Sequence, residues 1–110
     1  MAKMLDFSKA KKPTLPIKLP NETTLHLYGP TKAMLEELLD LDDVLEKAVT
    51  EDRESIDALY DFVARCMSHN KTRQTITSEM LADMEFDVSD LIRFAHGYAG
   101  FIAELKSEKN

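Results

Sequence analysis

The stretch TLPIKLPNETTLHLYGPTKAMLEELL, residues 14–39, changes its hydrophobic period halfway along. Apolar residues alternate with other residues at Leu15, Ile17 and Leu19, and again at Leu25 and Leu27. Alternation of this kind indicates β-strands, and the intervening PNE segment favours a turn. The stretch therefore predicts a β-hairpin over residues 14–28, followed by a helix in which apolar residues recur every three or four positions.

A hairpin of this size needs support from the rest of the chain, because two strands alone are marginally stable in water. Its five alternating apolar side chains must pack on the helices that follow. Pro16 has no backbone N–H to donate, so its strand is expected at a sheet edge. An unpaired strand edge is also a surface at which copies of the chain could associate.

Four helices are predicted after the hairpin from caps and apolar spacing. Helix one begins after Thr31 and runs to about Ala48, and helix two begins after Thr50. The polar segment SHNKTRQT, residues 68–75, is expected to be a loop. A short helix over 78–84, capped by Thr77 or Ser78, precedes a last helix opened by Asp87.

The apolar stripes of these helices define the expected core. Helix one contributes Met34, Leu35, Leu38, Leu39, Leu41, Leu45 and Ala48, and helix two contributes Ile56, Leu59, Tyr60, Val63, Cys66 and Met67. The last helix has the most regular stripe, made of Val88, Leu91, Ala95, Tyr98, Ile102 and Leu105. The predicted fold is mainly α: a small bundle of three longer helices and one short helix, with an N-terminal two-stranded β-hairpin.

The length of 110 residues corresponds to one domain. We expect a mobile basic arm over 1–13, the hairpin over 14–28 and a helical region over 31–110. The net charge is −6, with six lysines against two carboxylates through Lys32 and eight basic against eighteen acidic residues thereafter. Because nucleic-acid binding depends on neutralising phosphates, this acidic surface argues against a nucleic-acid partner.

Cellular location follows from cysteine usage and hydropathy. Cys66 is the single cysteine, so an intrachain disulfide cannot form, which fits a reducing compartment. The first residues lack the apolar core of a secretory signal, and no apolar run is long enough to span a membrane. We expect a cytoplasmic protein without a membrane partner.

Motifs for chemistry are weak. Cys66 and His69 have no second Cys/His pair at zinc-site spacing, so a core thiol beside a surface histidine is the favoured interpretation. The carboxylates of DMEFDVSD, residues 83–90, fail the calcium-loop pattern, since Val88 stands at the required glycine and Phe94 at the final glutamate. We therefore expect no enzyme activity, no metal and no cofactor.

Gly97 and Gly100 stand out within the last helix, because a glycine in a helix costs about 1 kcal/mol relative to alanine. Close packing against a neighbouring helix is the favoured explanation. The alternative is a groove that a partner helix can approach. In that hypothesis the partner-binding residues are Phe94, Tyr98, Phe101 and Ile102, with Phe94 and Phe101 pointing partly away from the core.

Three segments resemble the small tail assembly chaperones of long-tailed phages and prophages of Gram-positive bacteria. They are MLDFSKAKK with LPIKLPNETTLHLYGPTKAMLEEL, then ALYDFVARCMSHN, then ITSEMLADMEFDVSDLIRFAHGYAGFIAELKSEKN. The resemblance implies a mostly helical fold, often with a small N-terminal β element. It also implies a holding function in virion morphogenesis: keeping the long, apolar, helix-rich tape measure protein soluble until tail tube subunits assemble around it.

The resemblance names the tape measure protein as the client, with the tail tube protein as a further partner. The protein would act in the host cytoplasm, be absent from the mature virion and carry no catalytic residues. Two other functions fit the same residues. One is a minor phage structural or connector protein, and the other is a small acidic regulator of the antitoxin or DNA-mimic type.

Overall fold

The computed structural model describes residues 12–40 and 53–107. Two antiparallel strands, β1 (Leu15–Lys18) and β2 (Thr24–Leu27), precede four helices. The helices are α1 (Lys32–Leu39), α2 (Arg53–Ser68), α3 (Ser78–Asp83) and α4 (Val88–Ser107). The predicted mainly helical fold with an N-terminal hairpin is confirmed.

The hairpin closes through a turn at residues 20–22, the predicted PNE segment. Leu19 N–H donates to Thr23 O at 2.8 Å, and Glu22 N–H donates to Leu19 O at 2.8 Å. The left-handed residue is Glu22, with φ 68°, although asparagine tolerates this conformation better. Asn21 instead stabilises the turn through its side chain, whose oxygen accepts the Thr23 N–H at 3.1 Å.

The loop after α2 continues the hydrogen bonding of the hairpin, which the sequence pattern did not reveal. Tyr28 N–H donates to His69 O, and Lys71 N–H donates to His26 O, both at 2.9 Å. Asn70 lies between these contacts and is 3% exposed. The side of β2 that faces away from β1 is thus partly covered by residues 69–71.

Capping side chains begin three of the helices as expected from their types. Thr31 accepts the Met34 N–H, and Thr77 rather than Ser78 accepts the Met80 N–H. At α4 the cap is reciprocal: Asp87 Oδ1 accepts the Asp90 N–H and Asp90 Oδ2 accepts the Asp87 N–H, both at 3.0 Å. The carboxylates around residue 87 therefore serve to start α4.

Helix one is shorter than predicted. α1 ends at Leu39 with Asp40 as its C-cap, so the expectation of one continuous helix to Ala48 is wrong. Leu39 is 83% exposed, which also removes it from the core stripe. The remaining predicted positions, 41–48, lie outside the described residues. So do the arm segment 1–11 and the predicted start of helix two at Thr50, Glu51 and Asp52.

One core joins the hairpin to the helices. The hairpin leucines Leu25 and Leu27 are fully buried in the same core cluster as residues of α2 and α4, because the pleat directs alternate side chains to the same face. The predicted stripes of helix two and the last helix supply most of the remaining core. The buried members of those two predicted stripes are Leu59, Val63, Cys66, Met67, Leu91, Ala95, Tyr98 and Ile102, and the same helices also bury Phe62, Ala64 and Phe101.

Candidate functional site

An apolar groove of about 520 Å³ lies between β1 and α4. The hairpin forms one wall, and the first half of α4 with the preceding residue Phe86 forms the other. Charged side chains enter the lining only at three positions. The lining residues are Leu15, Ile17, Lys18, Leu19, Pro20, Met67, Phe86, Asp90, Arg93, Phe94, Gly97 and Tyr98.

The hairpin wall exists because β1 packs less deeply than β2. Leu15 pairs with Leu27 and Ile17 pairs with Leu25, so these four side chains share one face of the sheet. The β2 leucines are fully buried, whereas Leu15 and Ile17 are only half-buried. Their accessible surface is available to the groove, and it is entirely aliphatic.

The helical wall is formed by an aromatic pair beside an open position. Phe94 and Tyr98 are stacked, with ring centroids 5.5 Å apart and an interplanar angle of 16°. Phe94 is half-buried, and Tyr98 is 1% exposed. One turn after Phe94, a Cβ built on Gly97 would have no atom within 4 Å. The helix backbone is therefore bare on this side, and no residue within 12–40 or 53–107 fills the space above it.

The described residues do not support the favoured explanation of the helix glycines. A Cβ on Gly100, as on Gly97, would meet no atom within 4 Å, so neither glycine accommodates a tightly packed neighbour among the described residues. Both positions are exposed. Packing within the described chain therefore does not offset the helix-propensity cost of these glycines.

The structure separates the four predicted partner-binding residues. Phe94 and Tyr98 line the groove, but Phe101 and Ile102 are not among its lining residues. Phe101 is 7% exposed and Ile102 9%, and both belong to the protein's own core. The expectation that Phe101 projects away from the core is therefore wrong, because its ring packs near Tyr98 with centroids 6.2 Å apart.

Tyr98 has a structural role in addition to its place in the groove. Its hydroxyl donates to Tyr28 O at 3.1 Å, which ties the middle of α4 to the end of the hairpin. Burial raises the pKa of this hydroxyl well above its ordinary value, so it remains a donor at physiological pH. The groove wall is therefore held in place by a hydrogen bond as well as by packing.

The hairpin wall was missed as a site because its residues were assigned to covering the core. The available signal was Pro16, which indicated that β1 lies at a sheet edge and is less enclosed. The register confirms this assignment within the described part of the chain, where the sheet has the order β1-β2. Pro16 lies opposite His26 at a non-hydrogen-bonded position, between the pairs Leu15–Leu27 and Ile17–Leu25. Its missing N–H would point away from β2, so the ladder is not interrupted.

The outer edge of β1 is poorly suited to pairing with another strand. The alternation of an antiparallel ladder directs the backbone of residues 16 and 18 away from β2. Pro16 has no N–H to donate. Of these two outward-facing residues, therefore, only Lys18 offers an N–H to another strand. The groove is consequently better equipped to bind apolar side chains than an extended backbone.

Cys66 is buried at 0% exposure, and this burial, aided by the Glu37 carboxylate and opposed by Arg65, raises its pKa to about 12. A thiol with this pKa is protonated at neutral pH, as a buried core cysteine usually is. His69, its predicted neighbour, contacts the Tyr28 ring edge-on at 5.5 Å. Within residues 12–40 and 53–107, no group of three or more His, Cys, Asp or Glu side chains could hold a metal ion.

None of the helices described in the structure combines the length and the apolar character that crossing a bilayer requires. Comparison with known proteins adds no relative: no protein-family model, no curated protein and no solved structure matches this chain.

Proposed function

We propose that this protein is a non-enzymatic phage tail assembly chaperone that binds apolar helical segments of the tape measure protein and keeps them soluble. It acts in the host bacterial cytoplasm and leaves before the virion is complete. The observation that carries the proposal is the apolar groove between β1 and α4, together with the resemblance of the sequence to this family.

The groove fits an amphipathic helix better than a small polar ligand. Helix-in-groove recognition places apolar residues at three- and four-residue spacing into an apolar depression. Leu15, Ile17 and Phe94 supply partly exposed apolar surface for such contacts, and the bare backbone at Gly97 allows close approach. Aromatic side chains in such positions commonly contribute a large share of binding energy.

The lining also favours a range of client sequences over one exact sequence. Met67 is a buried lining residue, and repacking of its flexible thioether can adapt the groove to different side chains. Hydrogen-bonding groups that would select one polar ligand are limited to the rim, at Lys18, Asp90 and Arg93. Asp90 is already engaged in the α4 cap, which leaves the two cations to interact with acidic client residues.

Co-expression with apolar fragments of a tape measure protein tests the proposal. Phe94→Ser removes the half-buried ring that lines the groove, and we expect at least about a tenfold loss of fragment recovered in the soluble complex. Leu39→Ser is the matched control, since it removes an apolar side chain that is 83% exposed and outside the groove. Both variants are checked by circular dichroism and thermal melting.

The outcomes separate the possibilities. If Phe94→Ser folds and retains the fragments as well as the wild type does, the groove is not the client site. If Leu39→Ser alone loses them, the client binds the exposed face of α1. Mass spectrometry of purified virions provides an independent measurement, because a chaperone should be absent and a structural component should be present in stoichiometric amounts.

A further inference from the structure

The two faces of the hairpin differ in character. Leu25 and Leu27 point from β2 into the core, so the pleat directs His26 and Tyr28 to the opposite side. His26 is exposed and Tyr28 is half-buried. The apolar residues of β1 that line the groove share the core side with the two leucines. The opposite side of the hairpin is therefore a separate surface.

The loop after α2 widens this surface. Leu27 and Asn70 form an antiparallel bridge, and both residues are buried. Because side chains alternate along extended segments, the chain neighbours of these two residues lie on the opposite side of the sheet. The hydrogen bonds between the hairpin and the loop set the pairs of this outer sheet face: Tyr28 with His69, and His26 with Lys71.

Aromatic rings and cations lie side by side on the outer sheet face. The rings of Tyr28 and His69 meet edge-on, with centroids 5.5 Å apart. The ammonium group of Lys12 lies 5.9 Å from the centre of the Tyr28 ring. In the neighbouring pair, His26 presents a further ring beside the exposed side chain of Lys71. Each residue of the face thus offers either a flat ring or a positive charge.

The charge of this part of the molecule is opposite to that of the whole chain. Segments 12–28 and 68–78 contain four basic residues and one acidic residue, Glu22, which is paired with Lys18 at 3.8 Å. The net charge of −6 therefore comes from the rest of the chain. Net charge does not describe this face, because charges beyond the screening length of about 8 Å at physiological ionic strength contribute little to phosphate binding there.

We propose that the outer sheet face binds single-stranded nucleic acid. Tyr28 and His26 each provide a ring on which an unpaired base stacks. Lys71 contacts a phosphate, and Lys12 exchanges its contact with the Tyr28 ring for the phosphate of the stacked nucleotide. Proteins commonly hold single strands in this way, with aromatic side chains on a sheet and cations beside them. Successive outward side chains of a strand are about 7 Å apart, so the two rings accept neighbouring bases that are not stacked on each other.

A single strand fits this face better than an acidic protein segment or a duplex. The carboxylates of an acidic segment can pair with the two lysines, but they leave the rings without a flat partner. The bases of a duplex are stacked on one another and offer no free face to a ring. Only the unpaired bases of a single strand use both the rings and the cations.

Fluorescence anisotropy with a labelled oligothymidine of about 12 nucleotides tests the proposal. We expect a dissociation constant of about 100 µM or tighter at about 50 mM salt. Lys71→Glu should weaken binding about tenfold or more, and His26→Ala should weaken it about fivefold or more through the loss of one stacked base. Both side chains are exposed, so both variants should fold. Arg53→Glu is the matched control, since it reverses an exposed arginine at the other end of α2, about 22 Å along the helix axis from Ser68.

Salt dependence and a second probe complete the test. Lys71→Ala should reduce the slope of the logarithm of affinity against the logarithm of salt concentration by about 0.7, the value for one phosphate contact of a single strand. A glutamate-rich peptide with the net charge of the oligothymidine is the competing ligand. Equal affinity for this peptide would indicate a site for acidic proteins and would overturn the proposal.

Two further outcomes would also overturn it. One is the absence of oligothymidine binding at about 1 mM protein. The other is an equal loss of affinity in Arg53→Glu and Lys71→Glu, which would show a general effect of charge. These measurements use the full chain without any client, so their results are independent of the groove and of the proposed function.

Discussion

At the residue scale, Cys66 shows how burial alters a side chain that might otherwise suggest chemistry. Its pKa rises from 9.0 to about 12, chiefly through burial. An acid whose pKa is raised in the folded state stabilises the fold below its unfolded pKa. That contribution is lost as the pH increases through the folded pKa, because the unfolded chain then binds fewer protons.

We therefore expect the free energy of unfolding to fall as the pH rises from 9 towards 12, and to fall less steeply in Cys66→Ala. The substitution itself should cost about 1 kcal/mol at neutral pH through lost packing. Tyr98, whose pKa is raised chiefly by burial and further by Cys66, remains in both proteins, so the difference between the two slopes reports the thiol together with its coupling to Tyr98. Urea unfolding across this pH range measures it, and identical slopes would contradict the burial of an un-ionised thiol.

Gly97 gives a second prediction at the residue scale. Gly97→Ala should raise the free energy of unfolding of the monomer by about 0.5–1 kcal/mol, because alanine favours the helix and its Cβ meets open space. Gly29→Ala is the contrasting variant, since its Cβ would lie 2.9 Å from Leu105 Cδ1 and force that side chain to move. Unfolding in dilute solution measures both. A destabilised Gly97→Ala would mean that the space beside this glycine is occupied.

At the element scale, the loop after α2 is organised by the buried side chain of Asn70. Its Nδ2 donates to Met67 O and Gln74 O, both at 2.8 Å, and its Oδ1 accepts the Gln74 N–H at 2.9 Å. These bonds hold residues 69–71 against β2. A residue expected in a solvated loop therefore joins the hairpin to the end of α2.

Asn70→Ala should lower the free energy of unfolding by about 2 kcal/mol, because it leaves buried backbone groups without partners. Asn70→Asp keeps the acceptor and loses the donors, so it should also be strongly destabilising. Arg65→Ala is the control: it removes the ion pair with Glu37 that links α2 to α1, and that pair is exposed and worth about 0–1 kcal/mol. Equal effects of Asn70→Ala and Arg65→Ala in urea unfolding would contradict this assignment.

At the scale of the whole molecule, the hairpin and the helices share one core. Leu27 is completely buried, with 0% of its surface exposed, and it lies on the sheet face that packs against the helices. We expect Leu27→Ala to cost about 3 kcal/mol and to lower the stability of all elements together. The helical circular dichroism signal should be lost under the same conditions at which the hydrogen-bonded amide of Leu19, in the hairpin, loses its protection from hydrogen exchange. Hairpin exchange well before helix melting would show two independent units.

The helix caps and two of the three long apolar stripes could be predicted because they depend on neighbours within a few residues. Thr31, Thr77 and Asp87 begin their helices as their side-chain chemistry predicts. The end of α1 at Leu39 could not be predicted, since the apolar spacing continues past it. Of the twelve residues that line the candidate site, Phe94 and Tyr98 were predicted as partner-binding residues, while the hairpin wall was not.

The sequence by itself determined the hairpin, the order of the helices and most of the core stripes of α2 and α4, because periodicity and capping are local properties of the chain. Tertiary structure alone decided which apolar residues remain accessible. Leu15 and Ile17 have the same alternation as Leu25 and Leu27, yet only the β2 pair is fully buried. Tertiary structure also decided that Gly97 faces open space and that Asn70 is buried. The physical reason is that burial depends on what other elements cover, and a residue's own periodicity does not contain that information.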